Sequence, residues 1–268
     1  MIAMFNLNYY AIVGHMQIVI PMAGSGKRFV DAGYKTPKPF IEVDGKPIIE
    51  HVINLFPGEN EFLFICSQTQ LKQFPIEKII YKIKPSAAIV GIASHKLGPV
   101  ETVLRAREFI KDTDPTIINY CDFFMDWNYK KFKLKVLKEK IDGAIVCYKG
   151  FHPHLLRNDF YASVKTDADN TFIETKEKFS YTPNKMDSWQ SAGTYYFKSG
   201  IIAKKYLQQV KKEKLLTNGE YYIPWAYNLM QKDGLKTVVF PAEFFCQWGT
   251  PEHLREYLYW SRHFRLRR

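Results

Sequence analysis

The chain has 268 residues, of which 46% are hydrophobic and 24% charged, as in an ordinary globular protein with a sizeable core. No apolar run reaches the roughly 18 to 20 residues that span a bilayer, which excludes the membrane-spanning classes. The net charge of +11 suits polyanionic partners. Because no helix-turn-helix, zinc-finger or ribonucleoprotein motif is present, phosphorylated small molecules are favoured over nucleic acid.

Residues 1–15 precede the first predicted strand, and we interpret them as an N-terminal extension of a single domain over residues 16–268. The extension is apolar but lacks a basic n-region, which argues against a signal peptide. The four cysteines lie in or beside apolar, strand-like segments and match no zinc pattern, so we expect reduced cysteines and a cytoplasmic location. They are Cys66, Cys121, Cys147 and Cys246.

The first predicted element is a strand over residues 17–20, a short apolar run typical of a buried parallel strand. A glycine loop follows it directly, and its backbone N–H groups could close on a phosphate chain because glycine has no side chain. The loop is neither a Walker sequence nor a complete dinucleotide fingerprint, so a plain glycine turn stays open on this pattern alone. The candidate nucleotide-binding residues of the loop are Met22, Ala23, Gly24, Ser25 and Gly26.

Cations follow the loop closely, with Lys27 and Arg28 beside it and Lys38 a little further along. They would supply the countercharge that a triphosphate needs, which favours a phosphate site over a solvated loop. Lys27 could instead be a surface neighbour of Arg28. Much of the remaining positive charge lies in predicted solvated helix faces, at residues 129–140, 204–214 and 262–268.

Strands and helices alternate through the first half of the chain. The predicted strands cover residues 61–67, 87–93, 116–122 and 143–148, and the predicted helices cover residues 47–56 and 98–110. This alternation predicts an α/β fold with a doubly wound, mainly parallel, Rossmann-like sheet. Ligands of such sheets bind beyond the carboxyl ends of the strands. The glycine loop and Asp122 both fall on that edge.

The second half begins with a predicted hairpin and continues with further strands and helices. The strands cover residues 161–166, 171–176, 190–197 and 237–241, with a short one before Trp248, and the helices cover residues 201–212 and 220–231. A last helix opens at Thr250, with a proline at its first position. We interpret residues 16–150 as a nucleotide-binding half and residues 151–268 as an acceptor-binding half that share one sheet.

A series of segments along the chain resembles the sugar-phosphate nucleotidyltransferases, also called nucleotide-sugar pyrophosphorylases. The glycine loop, together with residues 36–39 and 45–47, is similar to the opening signature of this family. One such motif would be weak, but the whole series in the right order is specific for the family, though not for its substrate. The later similar segments are residues 98–103, 121–122, 177–178, 191–196, 218–222 and 247–252.

The resemblance implies that a phosphate oxygen of an acceptor attacks the α-phosphorus of a nucleoside triphosphate and that pyrophosphate leaves. Such a transfer needs positioning and charge neutralisation more than a protein acid or base. By position, Arg28 would bind the leaving β- and γ-phosphates, Lys38 the α-phosphate and Lys178 the acceptor phosphate. Asp122 would bind Mg²⁺. From the residues alone, Asp122 could merely cap a turn and Lys178 could be a solvated lysine.

The resemblance also assigns further contacts to the two substrates. Gly98 and Glu101 would join the glycine loop in binding the nucleotide. The residues implied in acceptor binding are Gly193, Tyr195, Glu220 and Trp248. The aromatic residues among them could equally belong to the core, and Glu220 could be an acid in the first turn of a helix.

Two residues depart from the family pattern. Gln247 stands where the family usually has an aspartate that is the second metal ligand, so either Asp122 and the substrate phosphates hold the metal or activity is lost. Glu101 stands where uracil- and thymine-using members often have Gln or His. An ionised carboxylate only accepts hydrogen bonds, which suits the exocyclic amine of cytosine and favours CTP. Adenine also carries such an amine, and Glu101 could point to solvent.

The leading hypothesis is a Mg²⁺-dependent nucleotidyltransferase that couples CTP to a phosphorylated metabolite for capsule or other surface polysaccharide. The acceptor is a sugar phosphate or a non-sugar such as glutamine phosphate. The alternatives are a UTP- or dTTP-dependent sugar-1-phosphate pyrophosphorylase and a non-catalytic nucleotide-sensing homologue. A homo-oligomer is compatible with the sequence, which does not decide the oligomeric state.

Overall fold

The computed structural model describes residues 14–156, 159 and 161–265. The expected N-terminal extension therefore lies outside the described residues, apart from Gly14 and His15. No helix among the described residues combines the length and the apolarity that crossing a membrane requires.

A nine-stranded sheet runs through the described part of the chain. The strands of its parallel core are β1 (Gln17–Pro21), β4 (Glu61–Ser67), β5 (Ala88–Ile92) and β6 (Thr116–Asn119). Their order in the sheet is β6, β1, β4 and β5, and β1 is buried along its whole length. The predicted α/β fold with a mainly parallel central sheet is confirmed.

The remaining strands extend the sheet beyond β6. The long strand β11 (Trp189–Phe197) pairs antiparallel with β6, with β8 (Gly143–Tyr148) and with β9 (Ala162–Thr166). On the outside, β12 (Thr237–Pro241) pairs parallel with β8, and β10 (Phe172–Glu177) pairs antiparallel with β9. Strands from the two halves of the sequence thus alternate within one sheet.

Two small sheets lie outside the large one. The strands β2 (Glu42–Val43) and β3 (Lys46–Pro47) form a hairpin. The strands β7 (Phe123–Asp126) and β13 (Phe244–Gln247) pair antiparallel and bring residues 244–247 beside the segment that follows β6.

Helices cover both faces of the large sheet. They are α1 (Lys27–Asp31), α2 (Ile48–Ile53), α3 (Gln68–Gln73), α4 (Ile76–Ile83), α5 (Pro99–Arg105), α6 (Tyr129–Lys138), α7 (Gly200–Lys212), α8 (Trp225–Lys232) and α9 (Pro251–Arg265). Side chains of β1 alternate between the two cores that result, with Ile18 and Ile20 in one and Val19 in the other. This alternation is the expected pattern of a strand covered on both faces.

Some predicted boundaries shift for local reasons. The predicted strand 116–122 ends at Asn119, and the chain turns before β7 begins at Phe123. The helix predicted from residue 220 begins only at Trp225, with Pro224 as its N-cap. The residue before a proline is disfavoured in the α region, so residues before Pro224 stay outside the helix.

The predicted solvated face of α6 is wrong at one position. Lys133 is buried, and its ammonium lies 2.6 Å from the carboxylate of Glu59, whose side chain is fully buried. The same carboxylate accepts hydrogen bonds from the Tyr129 hydroxyl and from the backbone N–H of Met16, at 2.5 and 2.8 Å. The cluster ties α6 to the beginning of β1.

Candidate active site

Two cavities meet at the carboxyl end of β1 and β6. The first has a volume of about 470 Å³ and lies over the glycine loop. The second has a volume of about 530 Å³ and lies over β10 and β11. Tyr120, Asp122 and Tyr222 line both cavities, so the two form one continuous cleft. The predicted edge of the sheet is therefore the place where the candidate residues assemble.

The first cavity, called here the loop cavity, gathers most of the predicted nucleotide-binding residues. Those that line it are Met22, Gly24, Ser25, Gly26, Lys27, Lys38 and Gly98. Ala23 is buried in the core beneath the loop instead. Gly26 has a φ of +60°, which favours glycine. At Gly98 a Cβ atom would come within 2.8 Å of the Tyr221 carbonyl oxygen, so only glycine fits between the two segments.

Lys38 and Asp122 form an ion pair at the junction of the two cavities. The ammonium lies 2.7 Å from the carboxylate, and both side chains are mostly buried. Burial alone would lower the pKa of Lys38, but the Asp122 carboxylate outweighs it and holds the pKa above its usual value. Lys38 therefore carries its positive charge into the cleft at any physiological pH.

The backbone around Gly249 holds Asp122 in place. The Asp122 carbonyl accepts a hydrogen bond from the Trp248 N–H at 2.9 Å. A Cβ atom on Gly249 would stand 3.1 Å from the Asp122 carboxylate. The close approach leaves little room for any larger residue at position 249.

The second cavity, called here the strand cavity, gathers residues from both halves of the chain. The predicted residues that line it are Arg28, Lys178, Gly193 and Tyr195. Arg28 was expected beside the leaving phosphates, yet it lies on this side of the cleft while its neighbour Lys27 lines the loop cavity. Lys27 is largely exposed and pairs with Asp31 at 2.8 Å. This position agrees with the alternative interpretation of Lys27 as a surface neighbour of Arg28.

Glu177 and Lys178 both line the strand cavity although they are adjacent in sequence. Side chains that follow one another in a strand point to opposite faces. Lys178 has a φ of +53°, and this left-handed conformation turns its side chain to the same side as that of Glu177. The sequence analysis assigned a role only to Lys178. The positive φ that brings Glu177 and Lys178 to the same side cannot be predicted from the residue types.

Burial sets the charge of Glu177. It raises the pKa of the Glu177 carboxyl to about 8, against a smaller lowering by Lys178 and a further rise from Glu220. The strand cavity thus contains a carboxyl that is largely protonated near neutral pH, together with Arg28 and Lys178.

Glu220 lies in the loop cavity rather than in the strand cavity. Its carboxylate accepts a hydrogen bond from the hydroxyl of Tyr222, which lines both cavities. Because α8 begins at Trp225, Glu220 is not a first-turn acid of that helix. The alternative interpretation of Glu220 is therefore wrong.

Glu101 does not reach either cavity. Its buried carboxylate lies 2.8 Å from the guanidinium of Arg105 and 2.5 Å from the ammonium of Lys211 on α7. Burial would raise the pKa of Glu101, but the hydrogen bonds from these two cations keep it below its usual value. The proposed contact of Glu101 with a nucleotide base is corrected accordingly, since the helix turns this side chain toward α7.

Other side chains of the same segment line the loop cavity in its place. They are His95, Lys96 and Thr102, and the Thr102 hydroxyl lies 3.1 Å from the His95 Nε2 atom. The sequence analysis did not identify these residues because it assigned the contact with the nucleotide base to the Glu101 carboxylate. The one available signal was the spacing of Thr102 and Gly98, since residues four apart share a helix face.

Gln247 and Trp248 also lie away from the cleft. The Gln247 side chain is buried, and Gln247 lines a third cavity, together with His253 and Trp260. Trp248 is 1% exposed and packs against His51 and Tyr257, with ring centroids 5.2 Å away in each case. Trp248 is a core residue, whereas the next two residues, Gly249 and Thr250, line the strand cavity.

The positions of Asp122 and Gln247 show which of the two predicted ligands could bind a metal ion in the cleft. Of the two predicted ligands, Asp122 alone among the described residues faces the cleft. Those residues also contain no cluster of three or more His, Cys, Asp or Glu side chains that could hold an ion by itself. Mg²⁺ commonly takes one or two carboxylates and completes its shell with water and substrate phosphates. Asp122 fits that use, and Gln247 does not.

A family model described as Nucleotidyl transferase matches residues 18–247. The archaeal protein called Bifunctional protein GlmU from Methanocaldococcus jannaschii is 25% identical over 210 residues, which cover 76% of this chain and 44% of the relative. This chain spans less than half the length of the curated relatives it matches.

Solved structures share the fold. A nucleoside-diphosphate-sugar pyrophosphorylase from Vibrio cholerae superposes with a TM-score of 0.70 at 22% identity, covering 91% of this chain and 100% of that one. An inositol-1-phosphate CTP transferase from T. maritima superposes with a TM-score of 0.68 at 15% identity, covering 91% and 94%. At these identities the likeness concerns the fold alone.

Proposed function

Because the chain belongs to the nucleotidyl transferase family, we propose that it transfers a nucleotidyl group from a nucleoside triphosphate to the phosphate of a small acceptor. The observation that carries this proposal is the continuous cleft, in which the loop cavity and the strand cavity meet at Lys38 and Asp122. A transfer between two bound phosphates needs two adjacent sites with cations at their junction, and the cleft has that arrangement.

In the proposed reaction an oxygen of the acceptor phosphate forms a bond to the α-phosphorus, and the bond from that phosphorus to the bridging oxygen of the β-phosphate breaks. The electron pair leaves with pyrophosphate. Two unit anions 4 Å apart repel by about 4 kcal/mol at an effective dielectric of 20, and several such pairs meet here. Neutralising this repulsion is the main task of the protein.

Each cation of the cleft has a proposed place in that task. Lys38, at the junction, would donate to an oxygen of the α-phosphate, where negative charge increases during transfer. Arg28 and Lys178, in the strand cavity, would hold and orient the acceptor phosphate. Asp122 would hold Mg²⁺, which when bound neutralises phosphate oxygens of the nucleotide.

The nucleotide base is a separate part of the proposal. CTP, the donor that Glu101 favoured, has lost that support because Glu101 pairs with Arg105 and Lys211. CTP and the alternatives UTP and dTTP would instead be distinguished by His95, Lys96 and Thr102. The acceptor would be a sugar phosphate or a non-sugar phosphate such as glutamine phosphate, on the route to a surface polysaccharide.

Pyrophosphate release with each nucleoside triphosphate, measured against a panel of phosphorylated acceptors with Mg²⁺ present, tests the proposal. We expect Lys38→Met to lower kcat/KM about 10²- to 10³-fold, since one preorganised donor to the developing charge is removed. The matched control is Lys35→Met, an exposed lysine three residues earlier. Nucleotide binding without turnover of any acceptor would contradict the proposal and favour a nucleotide sensor.

A further inference from the structure

The outer surface of α9 carries a patch of exposed aromatic side chains. Tyr259, Trp260 and Phe264 are 65, 49 and 61% exposed. The ring centroids of Tyr259 and Trp260 are 5.4 Å apart, and those of Trp260 and Phe264 are 5.9 Å apart. The patch continues across the third cavity, which Trp260 lines together with the exposed rings of Phe151 and Phe244. These five residues are called here the aromatic face.

The opposite side of α9 holds the helix firmly on the protein. Asp44, in the hairpin between β2 and β3, accepts hydrogen bonds from Tyr257 at 2.8 Å and from Ser261 at 2.7 Å. It also pairs with Arg265 at 2.9 Å. The aromatic face is therefore presented by a helix whose inner side is already satisfied. A contiguous exposed apolar patch of this kind marks a surface that meets a partner.

The choice of cation points to a protein as that partner. The chain has nine arginines and 29 lysines, yet five of the arginines lie in residues 255–268, where there is no lysine. Protein interfaces are enriched in Arg and aromatic residues and depleted in Lys. An anionic lipid surface attracts Lys and Arg equally, so it gives no reason to exclude lysine from this segment.

The distribution of charge along α9 suits a second copy of the same helix. The first half of the helix carries the exposed acids Glu252 and Glu256 with Arg255 between them, and Arg262 and His263 lie in the second half. In an antiparallel pair centred on Tyr259, the first half, with its net negative charge, lies beside the basic second half of the other helix. A two-fold arrangement satisfies both ends at once, because the same surface serves both partners.

The size of the aromatic face also suits a dimer. Each of its rings would remove roughly 100 Å² from water if about half of a buried aromatic area is still exposed in the monomer. Ten rings from two copies would then bury on the order of 1,000 Å², the lower end of specific interfaces, and the polar rim adds to this. We propose that the protein is a two-fold dimer that pairs the aromatic faces through antiparallel packing of α9.

Sedimentation equilibrium of the full chain over a wide concentration range tests this proposal. We expect a dimer whose dissociation constant rises at least about 100-fold in Trp260→Glu and in Phe264→Glu, since buried aromatic anchors dominate interfaces. The matched control is Tyr81→Glu, an exposed aromatic on α4. Because these side chains are exposed, the variants should keep the wild-type circular dichroism and thermal unfolding of the monomer.

Charge exchange makes the test specific for the antiparallel arrangement. Glu256→Arg should weaken the dimer, and adding Arg262→Glu to it should restore much of the affinity. A wild-type protein that stays monomeric at high concentration overturns the proposal. So does a dimer that Trp260→Glu leaves unchanged. Binding of the monomer to phosphatidylglycerol vesicles that is lost in Trp260→Glu would also overturn it, in favour of a lipid surface.

Discussion

Glu101 pairs with Arg105 on its own helix and with Lys211 on α7, so its removal should affect stability and leave nucleotide selection unchanged. In Glu101→Gln the partly exposed cations Arg105 and Lys211 lose their charged partner, which should lower the free energy of unfolding by about 1 kcal/mol, because water solvates part of both cations. Urea unfolding measures that loss, and the ratio of kcat/KM between nucleotides should not move. Glu108→Gln, at an exposed site nearby, is the control. A changed nucleotide preference would contradict this expectation and indicate that Glu101 contacts the nucleotide.

Glu177 should make stability fall as the pH rises. Its pKa is raised from 4.5 to about 8 in the folded protein, so folding favours the protonated form. The stabilisation is complete below the unfolded pKa and is lost as the pH rises through about 8. Urea midpoints at pH 6 and pH 9 should therefore differ more in the wild type than in Glu177→Gln, which has no proton to lose. Equal differences in the two proteins would contradict this assignment.

At the scale of single residues the sequence was informative about which positions matter and less so about where side chains point. The glycine loop and Asp122 assemble as expected because both follow strands that end at one edge, and Lys38 joins them through its ion pair with Asp122. Glu101 and Trp248 were misplaced because helix phase and the exit of β13 depend on packing against other segments. The left-handed Lys178 depends on tertiary contacts in the same way.

The Glu59 and Lys133 pair joins two elements, and breaking it should loosen α6 from β1. In Lys133→Met the fully buried Glu59 carboxylate loses its cation. We expect a loss of about 3–5 kcal/mol in the free energy of unfolding, as for other buried pairs deprived of one partner. Chemical denaturation measures it. Lys131→Met, on the exposed side of the same helix, is the control.

A second variant separates the charge effect from lost packing. Adding Glu59→Gln to Lys133→Met removes the orphaned charge while an amide oxygen can still accept from the Met16 N–H. Most of the lost stability should then return. If the double variant is no more stable than Lys133→Met, the pair does not act through its charge.

The predicted bounds of strands agree with the structure where the sequence pattern is local. The strands Glu61–Ser67, Gly143–Tyr148 and Thr237–Pro241 have the predicted bounds. They are short, mainly apolar runs of the length typical of a buried strand. The late start of α8 and the burial of Lys133 could not be found this way, because each depends on a contact with a distant part of the chain.

At the scale of the molecule, the proposed nucleotide-binding and acceptor-binding halves should unfold together. The strand β11 of the second half pairs with β6 and β8 of the first, and β12 pairs with β8. Neither half can unfold without breaking the hydrogen bonds between these paired strands. We expect a single calorimetric transition whose van't Hoff and calorimetric enthalpies agree per folding unit. Two separable transitions would contradict one domain over residues 16–268.

The ion pair between Lys38 and Asp122 makes the two cavities thermodynamically dependent on each other. A phosphate that draws Lys38 into the loop cavity frees the carboxylate beside the strand cavity, so occupancy on one side changes the free energy of binding on the other. Such linkage is reciprocal, and the factor by which nucleotide alters acceptor affinity must equal the factor by which acceptor alters nucleotide affinity. Calorimetric titrations in both orders would return one coupling free energy, and a molecule that bridges both cavities would experience it within a single binding event.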